Sequence, residues 1–186
     1  EKWLLRIRLS TLFFFQFFVW ACWMVPISTY GPSTLGFTGK EMGYIFSTTA
    51  IAAIISPLFV GFVADRFFAT EHILCALHIV GGVCLFLTGV QHSFTYFFLF
   101  LLVSTIAFMP TLALSNSLTF RSLDDPATFP RIAMFGSIGW IISGWIVGFL
   151  IGERSHWFLY LGGVVEIILA IYALTLPHTP PQAKEG

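Results

Sequence analysis

The stretch Phe108–Trp140 decides how this chain reads. It runs FMPTLALSNSLTF (Phe108–Phe120), RSLDDPAT (Arg121–Thr128) and FPRIAMFGSIGW (Phe129–Trp140). A nearly all-apolar helix carries Pro110 and Asn116, a short charged loop follows, and a helix spaced by Gly136 and Gly139 begins. An apolar helix has no need of an amide, and an amide without partners is costly in hydrocarbon. Polar side chains in such helices mark helix contacts or a solute path. Asn116 is therefore a candidate for either.

Composition sets the medium. The chain has 186 residues, 57% hydrophobic and 10% charged, with mean hydropathy +0.87. Soluble domains carry about 25% charge, so this is an all-α integral membrane protein. The net charge is zero, and nothing points to a nucleic-acid partner. Cys22, Cys75 and Cys84 all lie inside apolar runs with no CxxC or Cys/His spacing. They read as small packing residues. No metal or cofactor is implied. The first apolar run is too long for a signal peptide and has no small-residue cleavage site after it, so it reads as a retained helix.

A spanning helix needs about 20 mostly apolar residues. Six segments qualify: Ser10–Tyr30, Met42–Val63, Ile73–Val90, Tyr96–Leu118, Ile132–Ile151 and Trp157–Leu176. No segment has the alternation of a barrel strand. The breaks are short, so consecutive helices run antiparallel. With the N-terminus cytoplasmic, Lys2, Arg6, Arg8, Arg66, Arg121, Arg131 and Lys184 lie inside and only Lys40 and Arg154 outside. That bias predicts a multi-pass protein with both termini cytoplasmic. Residues 1–176 form the bundle. From Pro177 the chain reads PHTPPQAKEG, a cytoplasmic linker or tail over 177–186.

Several polar residues inside the spans are candidates for function. Gln16, Trp20, Trp23 and Ile27 are spaced by four, three and four, which puts them on one helix face. An amide and two indole N–H donors on one stripe suit a polar solute with a flat ring; the alternative is helix contact and aromatic packing. Pro26 is expected to kink this first helix. His78 reads as a packing residue, with a proton carrier as the alternative. Glu166 sits near the middle of the last span, where a charged acid costs roughly 2.5–3.5 kcal/mol on insertion scales. It is expected to be neutral or hydrogen-bonded, serving either proton coupling or helix contact. Gly144, Gly148 and Gly152 form two overlapping GxxxG units, expected to pack against another helix. Ser137 and Trp140 share a face near the start of the fifth span.

Taken in order, QFFVWACW (Gln16–Trp23), IAAIISPLFVGFVADR (Ile51–Arg66), the three pieces of Phe108–Trp140 and LTLPHTP (Leu174–Pro180) resemble the nucleoside:proton symporter family of the major facilitator superfamily. The resemblance is to the N-terminal half and covers nearly the whole chain. It implies six transmembrane helices as a 3+3 inverted-repeat bundle, half of a major facilitator fold. It implies import of nucleosides with protons by alternating access, in a bacterial inner membrane. Ser137 and Trp140 would face substrate, and Asp65 and Arg66 would join a cytoplasmic gate. The family carries an arginine where this chain has Ala133, four residues before Ser137, so Ala133 marks a substrate-binding position with its donor removed. Such transporters have about twelve helices. The resemblance therefore implies a second six-helix bundle as partner, either a C-terminal half or a pairing copy.

Other functions fit less well. A membrane enzyme would have to use Asp124, Asp125, His72 and His178, which lack a metal-binding spacing such as HExxH and flank a loop. No phosphate-binding GxxxxGK[ST] motif is present. The reading is a transporter bundle, not an enzyme. Its alternatives are a six-helix protein that self-pairs to carry another small polar solute, and a scaffold bundle that transports nothing.

Overall fold

The computed structural model describes residues 2–59 and 68–180, and every regular element among them is helical. The first span is two helices, α1 (Lys2–Met24) and α2 (Ile27–Thr34). The break falls at Val25–Pro26, because proline has no N–H to continue the ladder and its ring crowds the preceding turn. A turn with Gly36 at φ 71° leads to α3 (Gly39–Phe59). That helix opens on a capping box: Thr38 N and Oγ1 both donate to Glu41 Oε2 at 2.7 and 2.8 Å, and Glu41 N donates to Thr38 Oγ1 at 3.3 Å. Then come α4 (Thr70–Gly89) and α5 (Phe94–Ser122). A 3₁₀ turn at Pro126–Thr128, capped by Asp125, starts α6 (Phe129–Trp145), which runs on as a π-helical turn over Ile146–Ile151. The last helix is α7 (Trp157–Ala173).

At 1.5 Å per residue α1 is about 35 Å long and α7 about 25 Å, bracketing a hydrocarbon core of about 30 Å. Lys2, Arg6, Arg8, Arg121 and Arg131 belong to one end of the bundle, where Lys2 meets Asp124. We refer to it as the basic end.

The neighbours run α3–α5–α4–α7–α1–α6, with α1 and α5 also touching. This pattern is unchanged when the first three spans are exchanged with the last three, the signature of an inverted repeat. Two apolar clusters fill the interior. One, with Leu9, Leu12, Leu74, Leu118 and Leu169, lies toward the basic end. The other, with Val19, Cys22, Tyr30, Phe97 and Phe158, lies toward the opposite end. Between them in sequence along four helices sit Gln16, His78, Thr111 and Glu166, all at most 1% exposed.

Glycine positions the helices. A Cβ at Gly82 would lie 3.0 Å from Gly163 O, and one at Gly163 would lie 3.1 Å from Gly82 O, so α4 and α7 meet backbone to backbone. On the other side of the bundle a Cβ at Gly139 would lie 2.1 Å from Phe14 O. Gly144, Gly148 and Gly152 meet nothing within 4 Å among the described residues, and the close approach to α1 is made by Gly136 and Gly139.

Candidate functional site

The site is built on α1, α5 and α6. Trp20 projects from α1 and meets Trp140 of α6 edge-to-face at 5.7 Å and Phe108 of α5 at 6.1 Å. Edge-to-face contact suits ring quadrupoles and holds both indoles in place. Trp20 Nε1 donates to Met24 Sδ at 3.0 Å. Trp20 and Trp140 remain half-buried, and Ser137, one turn from Trp140, is exposed. The α1–α6 pair thus presents two fixed aromatic rings with a hydroxyl beside them. Such a surface can stack a flat ring and hydrogen-bond its substituents.

The stripe read along the first helix divides. Gln16 is fully buried, and its Nε2 donates to Thr111 Oγ1 at 2.9 Å while Oε1 has no partner among the described residues. Trp23 is 2% exposed, inside the apolar cluster with Ile27. Only Trp20 of the three reaches the Trp140 pair. Asn116 is exposed on α5. Ala133 is half-buried on α6 against the apolar cluster of the basic end. Asp65 and Arg66 lie outside the described residues.

A cleft of about 510 Å³ opens between α1 and α6 toward the basic end, lined by Trp3, Arg6, Ser10, Phe14 and Arg131 among others. Arg6 and Arg131 give it two cations beside a mostly apolar wall that also carries the hydroxyls of Ser10, Thr11 and Thr128.

Glu166 lies apart from the tryptophans, between α7 and α4. Its Oε2 is hydrogen-bonded to His78 Nδ1, and both side chains are essentially inaccessible. It packs against Gly81 and Gly82, where a Cβ would come within 3.2 and 3.0 Å of its side chain. Sequence reasoning treated His78 and Glu166 separately. The matched glycine pairs, Gly81–Gly82 and Gly162–Gly163, were the signal that their helices meet.

A second polar cluster ties the segment after α7 to the basic end. Thr70 N donates to Thr179 O at 3.1 Å, and Thr179 N donates to Glu71 Oε2 at 3.1 Å. His178 Nδ1 pairs with Glu71 Oε1 at 2.6 Å, and Arg121 Nη2 donates to Pro180 O at 2.8 Å. Glu71 is 4% exposed. His72, Asp124 and Asp125 are all exposed, and no cluster of three metal-ligating side chains occurs among the described residues.

A pseudo-symmetric six-helix membrane bundle, with an aromatic face on its first and fifth spans, defines a class by its fold: the six-helix bundle of the major facilitator type. The chain matches the nucleoside H+ symporter family model over residues 4–186 and belongs to that family. It is 38% identical to xanthosine permease of Escherichia coli over 98% of its own length and 45% of that protein. It is 34% identical to nucleoside permease NupG of Escherichia coli, again over 98% and 45%. The crystal structure of NupG superimposes with a TM-score of 0.92, covering 98% of this chain and 46% of that one. The POT family transporter PepTSo, 16% identical, shares the fold at a TM-score of 0.81 over 97% of this chain and 39% of that one. The chain thus spans less than half the length of these relatives, all of them transporters.

Proposed function

We propose that this chain is one bundle of a proton-coupled nucleoside importer working by alternating access in a bacterial inner membrane, with both termini cytoplasmic. Residues 1–176 make the bundle, and 177–186 begin a linker. Its partner is a second six-helix bundle, which closes over the uncovered face of α1 and α6. The observation that carries this reading is the fixed Trp20–Trp140 pair beside exposed Ser137, in a chain of the nucleoside symporter family. The nucleobase stacks on the indoles, and Ser137 and Asn116 supply hydrogen bonds to the sugar or base. Gln16 and Trp23 support this face from within. Asp65 and Arg66 belong to the cytoplasmic gate, and Glu166 takes part in holding the coupled proton. Ala133 removes a donor that the family supplies, so uptake is expected to be weak.

The test is uridine and adenosine uptake by the full-length transporter in proteoliposomes under an imposed pH gradient. Trp140→Ala should weaken binding by roughly 5- to 150-fold, the equivalent of losing base–aromatic stacking worth about 1–3 kcal/mol. Ala133→Arg should raise uptake. Wild-type affinity in Trp140→Ala, with the protein folded, would remove the aromatic face from the site.

A further inference from the structure

The cleft between α1 and α6 lies on the other side of their seam from the aromatic face. On α6, Arg131 and Phe135 line the cleft. At about 100° per residue they lie about 170° around the helix from Ser137 and Trp140. Gly136 and Gly139, which meet α1 at Phe17 and Phe14, fall about midway between the two sides. On α1, Trp3, Ile7, Ser10 and Phe14 are spaced by four, three and four, which puts them on one face of the cleft. That face is centred about 110° from Trp20. A second bundle that closes over Trp20 and Trp140 therefore leaves this cleft open to the surrounding bilayer.

Its length matches one leaflet. From Trp3 to Phe15 the lining runs about 18 Å along α1, against about 15 Å for half of a hydrocarbon core. Trp3 is 73% exposed at the basic end, where an indole suits the boundary between headgroups and hydrocarbon. Arg6 and Arg131 are exposed at the same end, and Phe14, Phe15 and Phe135 make the wall apolar further in. The carboxylates nearby are engaged elsewhere. Asp124 holds Lys2 at 2.9 Å, Asp125 Oδ1 accepts from Ala127 N at 3.0 Å, and Glu71 holds His178 and Thr179. Among the described residues no carboxylate pairs with Arg6 or Arg131.

Two guanidinium groups at the head of an apolar trough suit an anion that carries a hydrocarbon tail. We propose that this cleft binds one anionic phospholipid, its phosphate held by Arg6 and Arg131 and an acyl chain laid along Phe14 and Phe135. Each guanidinium offers a planar fork of N–H donors to the phosphate oxygens. Ser10, one turn deeper than Arg6 and buried in the cleft wall, donates to a glycerol ester carbonyl. Basic pockets between transmembrane helices take acidic headgroups in this way. An acyl chain alone has no need of two arginines, and a free anion has no use for the apolar length. The assignment depends on the importer reading at one point, the side on which the second bundle closes.

The experiment is crosslinking of the full-length transporter with a phosphatidylglycerol that carries a diazirine in one acyl chain, followed by peptide mapping. Adducts should fall on residues 7–15 and 132–135, and unlabelled phosphatidylglycerol should compete for them. Phosphatidylcholine with the same chains should compete about tenfold less well, and inorganic phosphate should not compete. Arg6→Gln and Arg131→Gln should each weaken lipid affinity about fivefold, the equivalent of one cation at an anionic membrane surface, and together about 25-fold. Adducts only elsewhere, equal competition by phosphatidylcholine, displacement by phosphate alone, or unchanged affinity in the double variant overturns the assignment. If the double variant fails to fold, the wild-type competition decides. Absent labelling with intact nucleoside uptake would sink the lipid site and leave the importer standing; absent uptake with intact labelling would do the reverse.

Discussion

Gly139→Ala is the sharpest probe of how this bundle is assembled. A Cβ there would sit 2.1 Å from the carbonyl oxygen of Phe14, about 1.2 Å inside the ~3.3 Å at which carbon and oxygen ordinarily touch. The obstacle is backbone, so no rotamer change relieves it, and α1 must move away from α6. Overpacking in a tight core costs about 1–3 kcal/mol, and a backbone clash belongs at the upper end. Alanine recovers about 1 kcal/mol of helix propensity, leaving a net loss of about 2 kcal/mol. Gly144→Ala is the internal control, because it meets nothing within 4 Å and keeps only the propensity gain. Thermal unfolding of the purified chain in lipid should therefore separate the two variants by about 3 kcal/mol, a difference of roughly 6–12 °C for a chain of this size. The Trp20–Trp140 contact, one residue further along α6, should loosen in Gly139→Ala and be seen as a change in tryptophan fluorescence. Equal stability of the two variants would refute the claim that Gly139, and not the GxxxG run, seats α6 on α1.

Two further outcomes follow from particular contacts. Glu71→Ala removes the carboxylate that accepts from Thr179 N and pairs with His178, so hydrogen exchange at the Thr179 amide should accelerate by tenfold or more while α4 amides further in stay protected; unchanged exchange would mean that Arg121 and Thr70 hold the segment without Glu71. Gln16→Leu leaves Thr111 Oγ1 donating to Phe108 O and removes an orphaned Oε1, so stability should change by less than about 1 kcal/mol, whereas a loss of 2 kcal/mol or more in thermal unfolding would show that the amide has a second partner.

The sequence by itself determined the medium, the number of spans and the family. Those features rest on long apolar runs broken by charge, and on local signals such as Pro26, the Thr38–Glu41 cap and the Phe108–Trp140 stretch. Which face of each helix is inside was not legible, for a physical reason. In hydrocarbon the outer face is as apolar as the core, so the periodicity that orients a helix in water is absent. Spacing placed Gln16, Trp20 and Trp23 together, but the tertiary structure buries Gln16 against Thr111 and Trp23 in the core and turns Trp20 to Trp140. The same ambiguity hid the glycines: Gly139 and Gly144 look alike in sequence, and only the approach of α1 distinguishes them. His78 and Glu166 are 88 residues apart and were each read alone. They became a pair only when the glycines of α4 and α7 let two backbones meet and left one buried carboxyl group within reach of one imidazole.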